Sequence, residues 1–159
     1  MTYVGPVLLD ATHNTANFDC GKPALNVWLR TMALSNQKSR TSRTWVVLDG
    51  DTGIVVAFYA SCTASITKST ATAKAGHRQP QEIPAILLAR MAVDEKHHHQ
   101  GLGGGLLKHC VTTAMEISER VGVRLLLVHA KDDEAKSFYM HYDFEASPID
   151  ELTLMLVLP

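Results

Sequence analysis

A glycine-rich turn between a buried strand and an amphipathic helix is the feature that most constrains the fold. The apolar run Ile86–Val93 predicts the strand, and apolar residues at helical spacing from Leu106 to Val121 predict the helix. Between them lies the segment 97–105, whose sequence is HHHQGLGGG. A glycine loop that leads into a helix suits an anion, because backbone N–H groups and the helix dipole face the ligand. The segment is therefore a candidate phosphate-binding loop.

The rest of the chain predicts a mixed α/β fold. Further strands are predicted at 7–9, 44–48, 54–61, 124–130 and 152–158, and further helices at 23–32 and 133–142. Two polar stretches predict irregular structure: a loop or frayed helix end at 35–44, and a surface loop or extended edge at 65–80. Because the chain has 159 residues with no internal repeat and no linker, we expect one domain over 1–159.

The composition argues against several classes of protein. A hydrophobic fraction of 46%, with 10 Gly and 6 Pro, is that of a globular protein rather than a disordered chain. No apolar run reaches the roughly 18 residues that a membrane helix needs, and the N-terminus lacks the pattern of a signal peptide. The three cysteines are widely spaced, which disfavours a disulfide framework or a cysteine zinc site. These features predict a cytoplasmic protein that does not bind membranes.

Two common nucleotide-binding motifs do not fit the glycine loop. A P-loop needs Gly-Lys-Ser/Thr, whereas Lys108 follows two leucines. A dinucleotide-binding loop needs a glycine where Leu106 stands. The pattern that remains, Gln100-x-x-Gly103-x-Gly105 after the strand 88–93, resembles the pyrophosphate loop of the GNAT superfamily of N-acetyltransferases. The alternative is a glycine-rich helix cap without a ligand.

This resemblance implies the GNAT fold, which is an α/β fold with a mixed central β-sheet, flanking helices and a splayed cleft for acetyl-CoA. In the family the loop backbone holds the pyrophosphate, and the preceding strand pairs with the pantetheine arm. The cofactor-binding residues that the resemblance implies here are Met91, Ala92, Val93, His98, His99, Gln100, Gly101, Leu102, Gly103, Gly104, Gly105, Asp132 and Phe138.

The three consecutive histidines 97–99 raise the question of a metal site. Adjacent ligands on one loop cannot all face a common ion without strain, and no second histidine cluster or carboxylate lies at metal spacing. We therefore expect no metal, and we expect some of these histidines to lie near the cofactor phosphates.

A tyrosine after the next strand is the candidate catalytic residue. The pattern Ala135-x-x-Phe138-Tyr139, with Phe144 five residues further on, resembles the last motif of GNAT enzymes. There the tyrosine hydroxyl protonates the thiolate of CoA as it leaves. A group with a pKa of about 10 is a suitable acid for a thiolate whose conjugate acid has a pKa of about 8–9. The alternative is a packed structural tyrosine, which is the role that we expect for Tyr142.

No motif places a general base beside this tyrosine. Glu82, His129 and His141 are candidates. A lysine amine would be more than about 99% protonated at pH 7 and would need a base, whereas an α-amino group with a pKa of about 7.7–8.0 is partly neutral. The lack of an identified base therefore favours an α-amine as acceptor.

The N-terminal third indicates which branch of the GNAT superfamily the chain resembles. Phe18-Asp19-Cys20-Gly21, then Leu25-x-x-Trp28-Leu29, then Ser42-Arg43-Thr44-x-Val46, resembles the tRNA-acetylating toxins of type II toxin–antitoxin pairs, the TacT and AtaT type. The resemblance covers essentially the whole chain. It implies acetylation of the α-amino group of aminoacyl-tRNA, which blocks translation. It also implies a ribbon-helix-helix antitoxin encoded beside the toxin, and a homodimer.

The distribution of charge agrees with an RNA substrate, although the net charge is −1. Residues 20–81 carry eight bases and two acids, a net charge of +6, whereas residues 82–159 carry seven bases and twelve acids, a net charge of −5. The bases of the first stretch could contact tRNA phosphates, and two more lie beside the cofactor strand. The candidate RNA-binding residues are Lys22, Arg30, Lys38, Arg40, Arg43, Arg90 and Lys96. The alternative is a solvated basic face.

Three functions remain open at this point. The first is an aminoacyl-tRNA N-acetyltransferase toxin. The second is a GNAT enzyme that acetylates a small-molecule amine or a protein amino group. The third is a non-enzymatic acetyl-CoA-binding module, against which Tyr139 and the glycine loop argue. The N-terminal motif and the basic stretch favour the first over the second.

Overall fold

The computed structural model describes residues 2–159. Over that range the strands are β1 (Tyr3–Leu8), β2 (Arg43–Asp49), β3 (Val55–Thr67), β4 (Glu82–Val93), β5 (Leu125–His129), β6 (Glu145–Ala146) and β7 (Thr153–Val157). The helices are α1 (Pro23–Thr31), α2 (Ala33–Ser39), α3 (Ala73–Gly76), α4 (Leu102–Ser118) and α5 (Asp133–His141). The strands form one sheet in the order β1-β2-β3-β4-β5-β7-β6. Strands β4 and β5 are parallel, whereas β2–β3 and β5–β7 are antiparallel, so the predicted mixed α/β sheet is confirmed.

The chain clusters into two compact units. Unit 1 comprises the described part of residues 1–62 together with 90–110, and unit 2 comprises 63–89 and 111–159. Strands β3 and β4 and helix α4 each contribute residues to both units. The expectation of one GNAT domain over 1–159 stays a prediction.

The core of unit 1 is built around Phe58 of β3, whose side chain is fully buried. Its ring meets Phe18 edge-on at 5.6 Å and stacks on Trp28 at 6.0 Å between ring centroids. Pro23 stands in the first turn of α1, as predicted, and Leu25, Trp28 and Leu29 form the buried face of that helix. These aromatic contacts fix both α1 and the segment before it against the sheet.

The core of unit 2 surrounds β5. Strands β4 and β7 pair with β5 on its two sides, and the side chains of Leu125–Val128 are all buried. A strand that is covered in this way reads as a continuous apolar run, which is why the sequence predicts it well. Ile83 and Met155 pack into the same cluster.

Several predicted boundaries were wrong. Helix α2 occupies 33–39, where a loop or frayed helix end was expected, and the short helix α3 interrupts the expected loop at 65–80. Met32 was expected on the apolar face of the first helix, but it follows α1 and is 46% exposed. Helix α4 ends at Ser118, so Val121 is exposed beyond it and Gly122 does not cap it.

Within residues 2–159, no helix is both long and apolar enough to span a membrane.

The buried thiol of Cys110 on α4 gives a first testable prediction. Burial raises its pKa to about 12, so only about one molecule in 10⁴ carries the reactive thiolate at pH 8. We expect iodoacetamide at pH 8 to modify Cys20, which is partly exposed, while Cys110 reacts only after denaturation. Mass spectrometry of native and urea-treated protein measures this difference, and equal modification of both cysteines in the native protein would contradict the structure.

Candidate functional site

The glycine loop leads into α4 as the sequence predicts. After β4 ends at Val93, a 3₁₀ turn covers Glu95–His97, and α4 begins at Leu102. The backbone reverses at His99 and Gly101, whose φ angles are +63° and +77°. The candidate residues 98–101 therefore form the loop itself, whereas Leu102, Gly103, Gly104 and Gly105 form the first turn of α4.

The first turn of α4 suits an anion. The Gly105 N–H donates to the Gly101 carbonyl at 3.1 Å, and the N–H groups before it are those that a helix leaves without intrahelical partners. Residues 102–105 include no acidic side chain that would repel a phosphate. A Cβ at Gly105 would meet no atom within 4 Å, so neither packing nor backbone conformation calls for glycine at this helical position.

The three histidines of the loop have different surroundings. The Nδ1 atom of His97 lies 2.9 Å from the Tyr3 hydroxyl, and the Nε2 atom of His98 lies 2.9 Å from the Val93 carbonyl oxygen. His99 is exposed. Across residues 2–159, no group of three or more His, Cys, Asp or Glu side chains is arranged to hold a metal ion.

The end of β4 carries the residues expected along the pantetheine arm. The ladder between β4 and β5 ends at Leu88, opposite Val128, and β4 continues to Val93. In this last part Ala92 is buried in the core of unit 1, while Met91 and Val93 are half-buried. Strand alternation therefore places Met91 and Val93 together on the opposite face from Ala92.

Helix α5 in unit 2 carries the candidate catalytic tyrosine. Asp132 caps the helix, since its carboxylate accepts from the Ala135 N–H at 2.8 Å. Tyr139 is 6% exposed, and its ring meets Phe138 at 5.2 Å and Phe144 at 5.4 Å. Tyr142, by contrast, is 41% exposed. The two tyrosines, one helical turn apart, thus have different environments.

The three candidate bases also belong to unit 2. Glu82 accepts from the Ser65 hydroxyl at 2.9 Å, and the Nδ1 atom of His129 lies 3.2 Å from the Thr153 hydroxyl. The ring of His141 packs edge-on against that of Tyr142. A catalytic role for any of them stays a prediction.

All seven candidate RNA-binding residues belong to unit 1. Lys38, Arg40 and Arg43 are exposed around the end of α2 and the start of β2. Arg40 ends α2 with a φ of +65°, and the Arg43 guanidinium donates to the Gln37 carbonyl at 3.0 Å. These three bases form one local group because the chain turns sharply between α2 and β2.

The other four bases differ in whether their charged groups already contact other residues of unit 1. Lys22 is exposed directly before α1, and the guanidinium of Arg30 donates to the Phe18 carbonyl at 2.9 Å. The guanidinium of Arg90 lies over the Trp28 ring, 4.3 Å from its centroid. Its positive charge is thus already placed on an aromatic face, whereas Lys96 is exposed.

The carboxylate of Asp19 lies in the electrostatic field of two of these bases, and sequence reasoning did not single it out as a functional residue. The pKa of Asp19 is lowered because its carboxylate accepts from the Gly21 N–H and the Asn26 side chain, and because Arg30 and Lys96 supply nearby positive charge. The local signals were that Asp19 stands two residues before a glycine, which is typical of a turn, and that it lies in the Phe18–Gly21 motif. Lys96 is far from Asp19 in the sequence, so no local pattern relates the two.

Comparison with known proteins identifies the family. Residues 40–146 match the model described as the acetyltransferase (GNAT) domain. The chain is 38% identical over 156 residues to the tRNA-acetylating toxin of Mycobacterium tuberculosis, an alignment that covers 98% of this chain and 93% of that protein.

Solved structures agree. AtaT complexed with acetyl-methionyl-tRNAfMet superposes with a TM-score of 0.88 at 25% identity, covering 98% of this chain and 94% of that one. A tyrosine-to-phenylalanine variant of AtaT bound to acetyl-CoA and to the C-terminus of the antitoxin AtaR gives a TM-score of 0.81 at 25% identity, covering 99% and 92%.

These matches confirm the resemblance drawn from the glycine loop and the N-terminal motif. The chain belongs to the GNAT family and is an acetyl-CoA-dependent N-acetyltransferase.

Proposed function

We propose that the protein is a toxin that transfers an acetyl group from acetyl-CoA to the α-amino group of aminoacyl-tRNA and so blocks translation. The observation that carries this proposal is the 38% identity to a tRNA-acetylating toxin along 98% of the chain. The complex of AtaT with acetyl-methionyl-tRNAfMet supports the same substrate class. The concentration of exposed bases in unit 1 agrees with it.

The glycine loop and the end of β4 are the proposed acetyl-CoA site. Backbone N–H groups of 100–104 bind the pyrophosphate, whereas the Gly105 N–H, which the family resemblance also implies, already donates to the Gly101 carbonyl at 3.1 Å. The β4 backbone at Met91 and Val93 pairs with the pantetheine arm. The open position at Gly105 and the absence of acidic side chains from 102–105 suit this ligand. His98, His99, Asp132 and Phe138 remain candidate contacts. Acetyl-CoA supplies the acetyl group as a thioester.

Tyr139 is the proposed general acid. The neutral amine nitrogen attacks the thioester carbonyl carbon, the carbon–sulfur bond breaks, and the tyrosine hydroxyl gives its proton to the departing sulfur. The nitrogen in turn loses a proton to solvent or to a base, and the tyrosinate takes up a proton from solvent, which restores the hydroxyl. An α-amino group needs little help in this step because it is partly neutral near pH 7.

The proposed tRNA contacts are the exposed bases of unit 1. Lys38, Arg40 and Arg43 form the main group, with Lys22, Arg30 and Lys96 as further phosphate contacts. Arg90 is the weakest candidate, because its guanidinium already lies on Trp28.

The proposed partners extend beyond the substrates. An antitoxin is supported by the AtaT–AtaR complexes, and we propose that it is of the ribbon-helix-helix type and is encoded beside the toxin. We further propose that the toxin is a homodimer. Because charged tRNA is the substrate, we expect the protein to act in the cytoplasm.

Transfer of labelled acetyl groups to tRNA tests the proposed function. The protein is incubated with labelled acetyl-CoA and bulk charged tRNA, or with the same tRNA after mild alkaline deacylation. We expect label only in the charged tRNA, released by nuclease digestion as N-acetyl-aminoacyl-adenosine. Equal labelling of charged and deacylated tRNA, or no labelling of either, would contradict the proposal.

A further inference from the structure

Asp94 occupies the point where β4 ends and the path to the acetyl-CoA loop begins. Its carboxylate is buried and accepts two backbone hydrogen bonds, from the Lys96 N–H at 2.9 Å and from the Asp19 N–H at 3.1 Å. The first bond caps the 3₁₀ turn at Glu95–His97, and the second reaches a segment 75 residues away in sequence. A buried carboxylate with two such donors holds both segments firmly.

The partner segment is Phe18–Gly21, the motif that pointed to the toxin branch. The Glu95 N–H donates to the Asp19 carbonyl at 2.9 Å, so the two segments exchange hydrogen bonds in both directions. Gly21 has a φ of +85°, a left-handed backbone conformation that favours glycine at this turn.

The Phe18–Gly21 segment is itself held rigidly. The Asn26 side chain accepts from the Cys20 N–H at 2.9 Å and donates to the Asp19 carboxylate at 3.0 Å. The ring of Phe18 is buried against Phe58. The Phe18–Gly21 segment is therefore anchored in the core of unit 1 and can hold the backbone at 94–95 in place.

We infer that Asp94 is a positioning residue for acetyl-CoA binding, because it fixes the entry to the glycine loop against the Phe18–Gly21 segment. The inference rests on the proposed acetyl-CoA site. It gives the N-terminal motif a role in cofactor binding. Asp94 is not proposed to touch a reacting group; it acts through the backbone of 94–98 that leads into the loop.

Two substitutions of Asp94 separate positioning from simple capping. Asp94→Ala removes both acceptors. Asp94→Asn keeps one side-chain oxygen, which can still cap the 3₁₀ turn, but its amide nitrogen cannot accept from the second backbone N–H. If Asp94 only capped the turn, asparagine would restore full binding.

Calorimetric titration with acetyl-CoA, combined with steady-state kinetics, is the test. We expect the acetyl-CoA Kd and KM to rise about 10-fold in Asp94→Ala and at least about 3-fold in Asp94→Asn, with the KM for charged tRNA changed less than about 2-fold. Asp10→Ala is the control. It removes an exposed carboxylate that accepts two local hydrogen bonds, from the Thr12 N–H and the Thr12 hydroxyl, and it should leave acetyl-CoA binding unchanged.

The outcomes are distinguishable. If the unaltered protein binds acetyl-CoA and both Asp94 variants bind it equally well, the positioning role is wrong while the proposed function stands. If asparagine restores full affinity, Asp94 is only a cap and the inference fails. If the unaltered protein does not bind acetyl-CoA, both the inference and the proposed site fail. Should Asp94→Ala not fold, Asp94→Asn decides the question alone.

Discussion

Replacing Tyr139 with phenylalanine is expected to lower kcat by about 100-fold or more while leaving the acetyl-CoA Kd unchanged. General acid catalysis by a positioned side chain contributes about 10²–10⁴-fold to a rate. Phenylalanine keeps the ring that packs against Phe138 and Phe144, so the fold should be retained. Single-turnover transfer to charged tRNA measures the rate, and calorimetry measures the affinity.

Tyr142→Phe is the matched control for this substitution. It removes the same hydroxyl one helical turn further along α5, from a tyrosine that is 41% exposed. We expect kcat to change less than about 2-fold. Unchanged turnover in Tyr139→Phe would remove Tyr139 from the mechanism, and an equal loss in both variants would show that helix α5 tolerates neither change.

The double reversal Arg40→Glu with Arg43→Glu is expected to raise the KM for charged tRNA by about 30- to 100-fold at low salt. A base and a phosphate about 4 Å apart attract by about 1 kcal/mol in water, each reversal replaces this with a comparable repulsion, and salt screens part of the change. The difference in KM should shrink as salt rises. The variant releases fewer counterions on binding tRNA than the unaltered protein does, so its affinity falls less steeply with salt. Acetyl-CoA affinity should not change.

A charge-matched control tests whether position matters. Lys68→Glu with Arg78→Glu makes the same change in net charge at exposed residues of unit 2 that come from the same basic stretch. We expect this control to raise the KM for tRNA far less. Equal effects of the two double variants would mean that net charge alone governs tRNA binding and that no specific surface does. Thermal unfolding checks that the loss of the bond from Arg43 to the Gln37 carbonyl does not unfold α2.

The elements that border the site could be predicted because buried strands and helices have a recognisable apolar pattern in the sequence. Strands β4 and β5 are apolar runs, and α4 has an apolar face, so their hydrophobic pattern follows from the core that they build. The glycines between β4 and α4 then mark a turn into a helix N-terminus. Family resemblance supplied the ligand and the role of Tyr139, which periodicity could not.

The parts that sequence reasoning missed depend on contacts between distant residues. Helix α2 has few apolar residues, but the Gln37 side chain holds it by donating to the Leu9 and Thr44 carbonyls and accepting from the Thr44 N–H. The Asp94–Asp19 bond likewise joins residues that no local pattern relates. Such hydrogen bonds stabilise a particular arrangement without imposing a period on the sequence.

The partition of labelled acetyl groups among competing acceptors identifies the amine that the enzyme prefers. A single reaction contains labelled acetyl-CoA, charged tRNA, deacylated tRNA, a polyamine and a lysine-rich protein. The charged tRNA, the polyamine and the protein are present at equal concentrations of acceptor amine. We expect nearly all of the label to enter the aminoacyl group of charged tRNA, and Tyr139→Phe to abolish most of this transfer. Preferential labelling of the polyamine or of protein lysines would contradict the proposed function and assign the enzyme to small-molecule or protein acetylation.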